Sequence, residues 1–123
     1  MSEAPILVVD DDPSIVTTVS EILDFEGYHV ETAANGAEAL QAVERRQPAL
    51  VLLDMRMPVL DGWGFARELR QRGVDLPIVV MTAAENAAGW AQEIDAAGYV
   101  SKPFDLDQLI STVERFRTHR PHG

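Results

Sequence analysis

The sequence contains no cysteine. A disulfide framework and thiolate chemistry are therefore excluded. Basic residues are scarce, with 10 Lys and Arg against 20 Asp and Glu and a formal net charge of −10. That balance argues against direct binding to nucleic acid or to an anionic membrane. No apolar run is long enough to span a bilayer, and Met1-Ser2-Glu3 does not begin a signal peptide. The cytoplasm is the expected compartment. Linkers, low-complexity tracts and internal repeats are also absent. The 123 residues are read as one domain, with a core over about 5–117 and a basic tail over 118–123. The composition is globular, at 46% hydrophobic and 24% charged, and the chain is long enough to bury a core.

Short apolar runs alternate with helical patterns. Ile6–Val9, Ala49–Leu53, Pro77–Met81 and the shorter Gly98–Val100 read as strands, and His29–Ala33 as a weaker, edge-like one. Between them Ile15, Val16, Val19, Ile22 and Leu23 recur at helical spacing, stopped by Gly27. Ala37, Leu40 and Val43 form a second stripe, entered through Asn35-Gly36, and Trp63, Ala66, Leu69 and Arg70 a third, ending at Gly73. Trp90, Ala91 and Ile94 give a short fourth, and Leu106, Leu109, Ile110, Val113 and Phe116 a clear fifth, with Asp105 and Gln108 at capping-box spacing. The order is βα repeated five times. Continuous apolar strands are buried on both faces, which implies an α/β fold with a parallel sheet between two layers of helices.

Ligands of open α/β sheets bind beyond the carboxyl ends of the strands. Asp10, Asp11 and Asp12 follow the first strand, Asp54 the third, Thr82 the fourth, and Lys102 with Pro103 the fifth. One rim thus gathers carboxylates, a hydroxyl and an ammonium. Clustered carboxylates without cysteine, and without histidine at a strand end, suit a hard cation such as Mg2+. A carboxylate can also act as a nucleophile towards a phosphoryl group. Each feature has a plainer reading. Asp10-Asp11 could cap a helix, Asp54 could solvate a loop, Lys102 could be a surface lysine, and Thr82 could simply end a strand. Trp63 and Trp90 fit core or interface positions. Met55, Met57 and Met81 fit packing. No ligand role is assigned to His29, His119 or His122.

The segments "ILVVDDDP", "VLLDMRMPVLDGW", "VVMTA" and "GYVSKPF" together resemble the receiver domain of two-component response regulators, over about Pro5 to Phe116. The resemblance implies a doubly wound, flavodoxin-like sheet of five parallel strands in the order 2-1-3-4-5, with five helices. It implies that Asp54 is the phosphoacceptor, with Mg2+ held by Asp11 and Asp54, by Asp10 through water and by the backbone carbonyl of Arg56. It further implies that Thr82 is the switch hydroxyl, that Lys102 meets a phosphoryl oxygen and that Tyr99 changes rotamer with Thr82. Pro103 matches the family's cis peptide. Asp12, the third aspartate, is left as N-cap before Pro13 at the first helical position. The implied donor is a histidine kinase or histidine phosphotransfer protein. The implied output face is the fourth helix, fifth strand and fifth helix, with its partner unknown.

Two features depart from the family pattern. The segment Ala83–Ala97 is shorter and alanine-rich, so a short, shifted or partly irregular fourth helix is expected there. Arg56 stands two residues after Asp54, where its side chain either folds over the carboxylates or points to solvent. Arg56 and Ala84, two residues after Thr82, are expected to tune the lifetime of the phosphoryl group. With no output module after the fifth helix, the chain reads as a stand-alone receiver or as part of a longer protein. Two rival classes remain: a phosphorylation-independent interaction module, and a Mg2+-dependent phosphatase working through an aspartyl phosphate. The phosphatase class usually has a second acid near its nucleophile to protonate the leaving group, and the residue two after Asp54 is Arg56, which cannot serve.

Overall fold

The computed structural model of the protein describes residues 4–117, apart from the side chain of Ala84. The basic tail expected over 118–123 lies outside the described residues. The five strands are β1 (Ile6–Val9), β2 (Val30–Ala33), β3 (Leu50–Asp54), β4 (Ile78–Ala83) and β5 (Gly98–Lys102). They alternate with α1 (Pro13–Phe25), α2 (Gly36–Arg45), α3 (Gly62–Gln71), α4 (Ala84–Glu93) and α5 (Leu106–Phe116). All neighbouring strands are parallel, and their order is β2-β1-β3-β4-β5.

The period of two along each strand sorts side chains to opposite faces. Leu7 and Val9 join Val51, Leu53 and Val80 under α2, α3 and α4. Ile6 and Val8 join Leu50, Leu52, Val79 and Met81 under α1 and α5. The central strands β1 and β3 are buried throughout. A fully buried Val, Leu or Ile contributes about 1.5–3 kcal/mol over an exposed one, so these strands anchor the sheet. The edge strand β2 is only half-buried, as its mixed sequence VETA requires.

Asp12, Asn35, Asp61 and Asp105 cap α1, α2, α3 and α5 through side-chain oxygens that accept backbone N–H groups. Gly27 and Gly73 follow α1 and α3 at φ 95° and 71°, a region open to glycine at little cost.

The helices differ from the sequence reading in three places. The buried face of α2 is Gly36, Ala39, Ala42 and Val43, with Ala37 and Leu40 only half-buried. The reason is close approach: a Cβ on Gly36 would lie 2.5 Å from the Leu60 carbonyl oxygen. Phe65, absent from the expected α3 stripe, is fully buried. And α4 is a regular ten-residue helix that follows β4 with no intervening loop. Its alanines favour helix, and Ala83 serves both as the last residue of β4 and as the N-cap, without a capping side chain.

Candidate functional site

The carboxyl end of β1 delivers Asp10 to the rim, where its side chain is almost fully buried. Both of its oxygens are engaged: Oδ1 accepts the Asp12 N–H at 3.0 Å, and Oδ2 accepts Lys102 Nζ at 2.8 Å. Asp12 turns away and caps α1, accepting Ser14 N at 2.9 Å and Ser14 Oγ at 2.8 Å. Asp11 is exposed at the mouth. Thus the three adjacent aspartates of "DDD" have three different environments.

Asp54 is the last residue of β3 and is buried. Lys102 Nζ lies 3.8 Å from its Oδ1. Burial is the largest cause pushing the Asp54 carboxyl up to about 6; the Asp10 and Asp11 charges add to it, and Lys102 opposes it. One carboxylate oxygen from each of Asp10, Asp11 and Asp54 lies within 4.8 Å of the others. Three hard oxygen donors at that spacing, on the rim of a rigid sheet, fit a divalent cation with open positions left for water.

The strands β4 and β5 run further than their apolar runs indicate. Thr82 pairs with Ser101 and Ala83 with Lys102, so Thr82 and Lys102 belong to the ends of strands rather than to loops. Thr82 is buried, and Lys102 is three-quarters buried at its side chain. The Lys102–Pro103 peptide is cis. Tyr99 is half-exposed on β5 and lines a groove with Ala88, Gly89 and Gln92 of α4. Ala84 opens α4, and its side chain lies outside the described residues.

The loop from Asp54 to α3 is tightly folded. The Gly62 N–H donates to the Met55 carbonyl at 2.9 Å, and a Cβ on Gly62 would meet Met55 Sδ at 2.5 Å. Glycine is therefore required after Asp61, which caps α3 through Gly64 N at 2.8 Å. Between them Val59 has φ 71°, and the Leu60 N–H donates to the Pro58 carbonyl at 2.8 Å. This is a three-residue turn of the strained kind, centred on an exposed β-branched residue.

The Arg56 side chain does not fold over the carboxylates; it is exposed, as the second expectation had it, but it is not free in solvent. Its guanidinium lies over the Trp90 ring of α4, with Cζ 5.1 Å from the centroid. Lys102 already neutralises Asp10, and the negative face of an indole offers the guanidinium a partner at little desolvation cost. Trp63 meets Trp90 edge-on, with centroids 5.0 Å apart and planes at 69°. Trp63 Nε1 donates to Glu93 Oε1 at 2.7 Å. Sequence reading missed this cluster because its members come from a loop and two helices with no local pattern joining them. It also missed one signal for the site: Lys102 is the only lysine in the chain.

Comparison with known proteins agrees with this geometry. The profile described as "Response regulator receiver domain" matches residues 6–114. Response regulator MprA of Mycobacterium leprae (strain TN) is 42% identical over 110 residues, covering 88% of this chain and 48% of that protein. The MprA of Mycobacterium sp. (strain KMS) is 43% identical over 108 residues, 86% of this chain and 47% of that one. The chain thus spans about half the length of these curated relatives. Among solved structures, the receiver domain of NtrX from Brucella abortus is similar at a TM-score of 0.82 and 37% identity, covering 89% of this chain and 95% of that one. The chemotaxis protein CheY4 of Vibrio cholerae is similar at a TM-score of 0.83 and 33% identity, covering 94% and 99%. A rim of carboxylates crossed by one lysine, on a sheet of this order and with these relatives, identifies the chain as a member of the response regulator receiver domain family of two-component signalling.

Proposed function

We propose that the protein is a Mg2+-dependent phosphoacceptor switch, and that Asp54 takes the phosphoryl group. The observation carrying this reading is that three carboxylates share one small space with an ammonium that reaches two of them. Asp10, Asp11 and Asp54, with the backbone carbonyl of Arg56, would hold the cation. When bound, it supplies charge neutralisation for the carboxylates and for phosphoryl oxygens.

With its pKa pushed up to about 6, Asp54 is still mainly ionised at pH 7 and can act as the nucleophile. A carboxylate oxygen of Asp54 forms a bond to phosphorus while the bond from phosphorus to the donor histidine nitrogen breaks. The electron pair of that bond leaves with the imidazole. Lys102 meets one of the three phosphoryl oxygens and Thr82 another, so most of the work is positioning and charge stabilisation. When Thr82 turns towards the phosphoryl group, Tyr99 follows into the vacated space beside β4. The surface of α4, β5 and α5 then changes for an output partner. Arg56 and Ala84 tune how long the phosphoryl group persists.

The donor is a histidine kinase or histidine phosphotransfer protein, and the compartment is the cytoplasm. The domain is a single receiver with its core over 5–117, and it catalyses only its own phosphorylation and dephosphorylation. Incubation with radiolabelled acetyl phosphate and Mg2+ tests the reading. One acid-labile label per chain is expected for the wild type, and none for Asp54→Asn with a native circular dichroism spectrum. Label persisting at the wild-type rate in Asp54→Asn overturns the assignment. Many turnovers per chain would indicate a phosphatase, and no label at all an interaction module.

A further inference from the structure

We propose that Trp90 is a dock that holds Arg56 away from the acidic site, and that Arg56 leaves it for the phosphoryl group on Asp54. The inference rests on Asp54 being the phosphoacceptor. It adds a link between site and α4 that does not pass through Thr82 or Tyr99.

The starting geometry is on one side of the rim. Arg56 is two residues from Asp54, yet among the described residues it forms no ion pair with a carboxylate. Its guanidinium sits on Trp90 instead. Trp90 is held in turn by the edge-on Trp63, which is fixed by its hydrogen bond to Glu93. The dock therefore belongs to α3 and α4, while Arg56 belongs to the phosphoacceptor loop.

Charge decides when Arg56 should move. With a divalent cation bound, the three carboxylates and Lys102 sum to zero, and the site exerts little pull on a second cation. An aspartyl phosphate carries one more negative charge than the carboxylate it replaces, with new acceptor oxygens. A charge-assisted hydrogen bond from arginine to such an oxygen is stronger than a cation–π contact at a partly exposed ring. Arg56 then moves to the phosphoryl group, and Trp90 loses its cation. Guanidinium has no acceptor lone pair, so it cannot take a proton from a hydrolytic water. Lying against the phosphoryl oxygens, it shields phosphorus and lengthens the life of the acyl phosphate. Trp90 acts through Arg56 and is a positioning residue.

The chain has two tryptophans, and both are in this cluster, so intrinsic fluorescence reads the dock directly. Beryllofluoride serves as the phosphoryl mimic, with its occupancy read from bound fluorine by NMR. In the wild-type chain, Mg2+ plus beryllofluoride should change tryptophan emission beyond any effect of Mg2+ alone. At matched fluorine occupancy, Arg56→Gln should lose that change. The aspartyl phosphate half-life gives a second readout. Trp90→Leu should lengthen it about two- to fivefold, the equilibrium weight of one cation–π contact. Trp90→Phe, which keeps a ring, should restore most of the wild-type value, and Trp90→Leu should have no effect in an Arg56→Gln background. An equal emission change in Arg56→Gln, or a Trp90→Leu effect that persists without Arg56, overturns the proposal. Bound fluorine with no emission change in the wild type also overturns it and leaves Asp54 as acceptor. Absence of bound fluorine refutes the acceptor role itself, and the dock with it.

Discussion

Helices α1 and α4 both leave the rim just behind strands that bring a site residue to it, but they are anchored differently. At the start of α1, Pro13 follows the cap Asp12, whose carboxylate accepts two hydrogen bonds from Ser14. At the start of α4 no side chain caps the first turn. Gly89 lies within α4, and Asp95, a non-glycine residue at φ 57°, follows the helix. The helix start beside the acidic pair is therefore tied by a side-chain cap, and the one beside Thr82 is not. Local opening concentrates where such ties are few. The contrast sets a capped helix start beside Asp10 and Asp11 against an uncapped one beside Thr82.

Lys102 joins the two sides, reaching from β5 to Asp10 behind β1 and towards Asp54 on β3. Lys102→Met should break the comparison most severely. It leaves the buried Asp10 without its cation and should cost about 3 kcal/mol of stability in denaturant melts at neutral pH without Mg2+. A loss as small as that of an exposed pair would mean that the ammonium does not tie the halves together.

The next effect is a pH dependence set by Asp54. Its folded pKa is raised from 3.8 to about 6, so between these values the folded state holds a proton that the unfolded chain has released. The stability this contributes is full below about pH 4 and is lost as pH rises through about 6. Wild-type stability measured against Asp54→Asn should therefore fall over that window. A flat difference would mean that the Asp54 carboxyl does not experience the burial and the neighbouring charges described above.

The smallest expected effect sharpens the α4 side alone. Gly89 has open space around the position of a Cβ, so Gly89→Ala should stabilise α4 by about 0.5–1 kcal/mol. Hydrogen exchange should slow in α4 and stay unchanged in α1. Equal slowing in both would show that α4 does not open separately.

Much of this arrangement is legible in the sequence, because β1 and β3 are continuous apolar runs that end in carboxylates. Asp12 could be separated from Asp10 and Asp11 by the proline that follows it. Other features depend on contacts between distant segments. The buried face of α2 is set by the approach of Gly36 to Leu60, which no periodicity within α2 records. The ends of β4 and β5 are fixed by pairing between them, which carries Thr82 and Lys102 into the sheet after the apolar runs have stopped. The position of Arg56 depends on an indole 34 positions along the chain. For a long flexible side chain, local sequence defines the reach but not the partner.

Lys102, the one lysine of the chain, gives covalent chemistry a single internal address. Within this sequence, a reagent or enzyme that acylates lysine side chains can act only at the rim. Acylation there would turn the ammonium into an amide, which has no charge to set against Asp10 and Asp54. The same scarcity bears on proteolysis: the bond after Lys102 leads into Pro103, so a protease that cuts after lysine but not before proline has no site in this sequence.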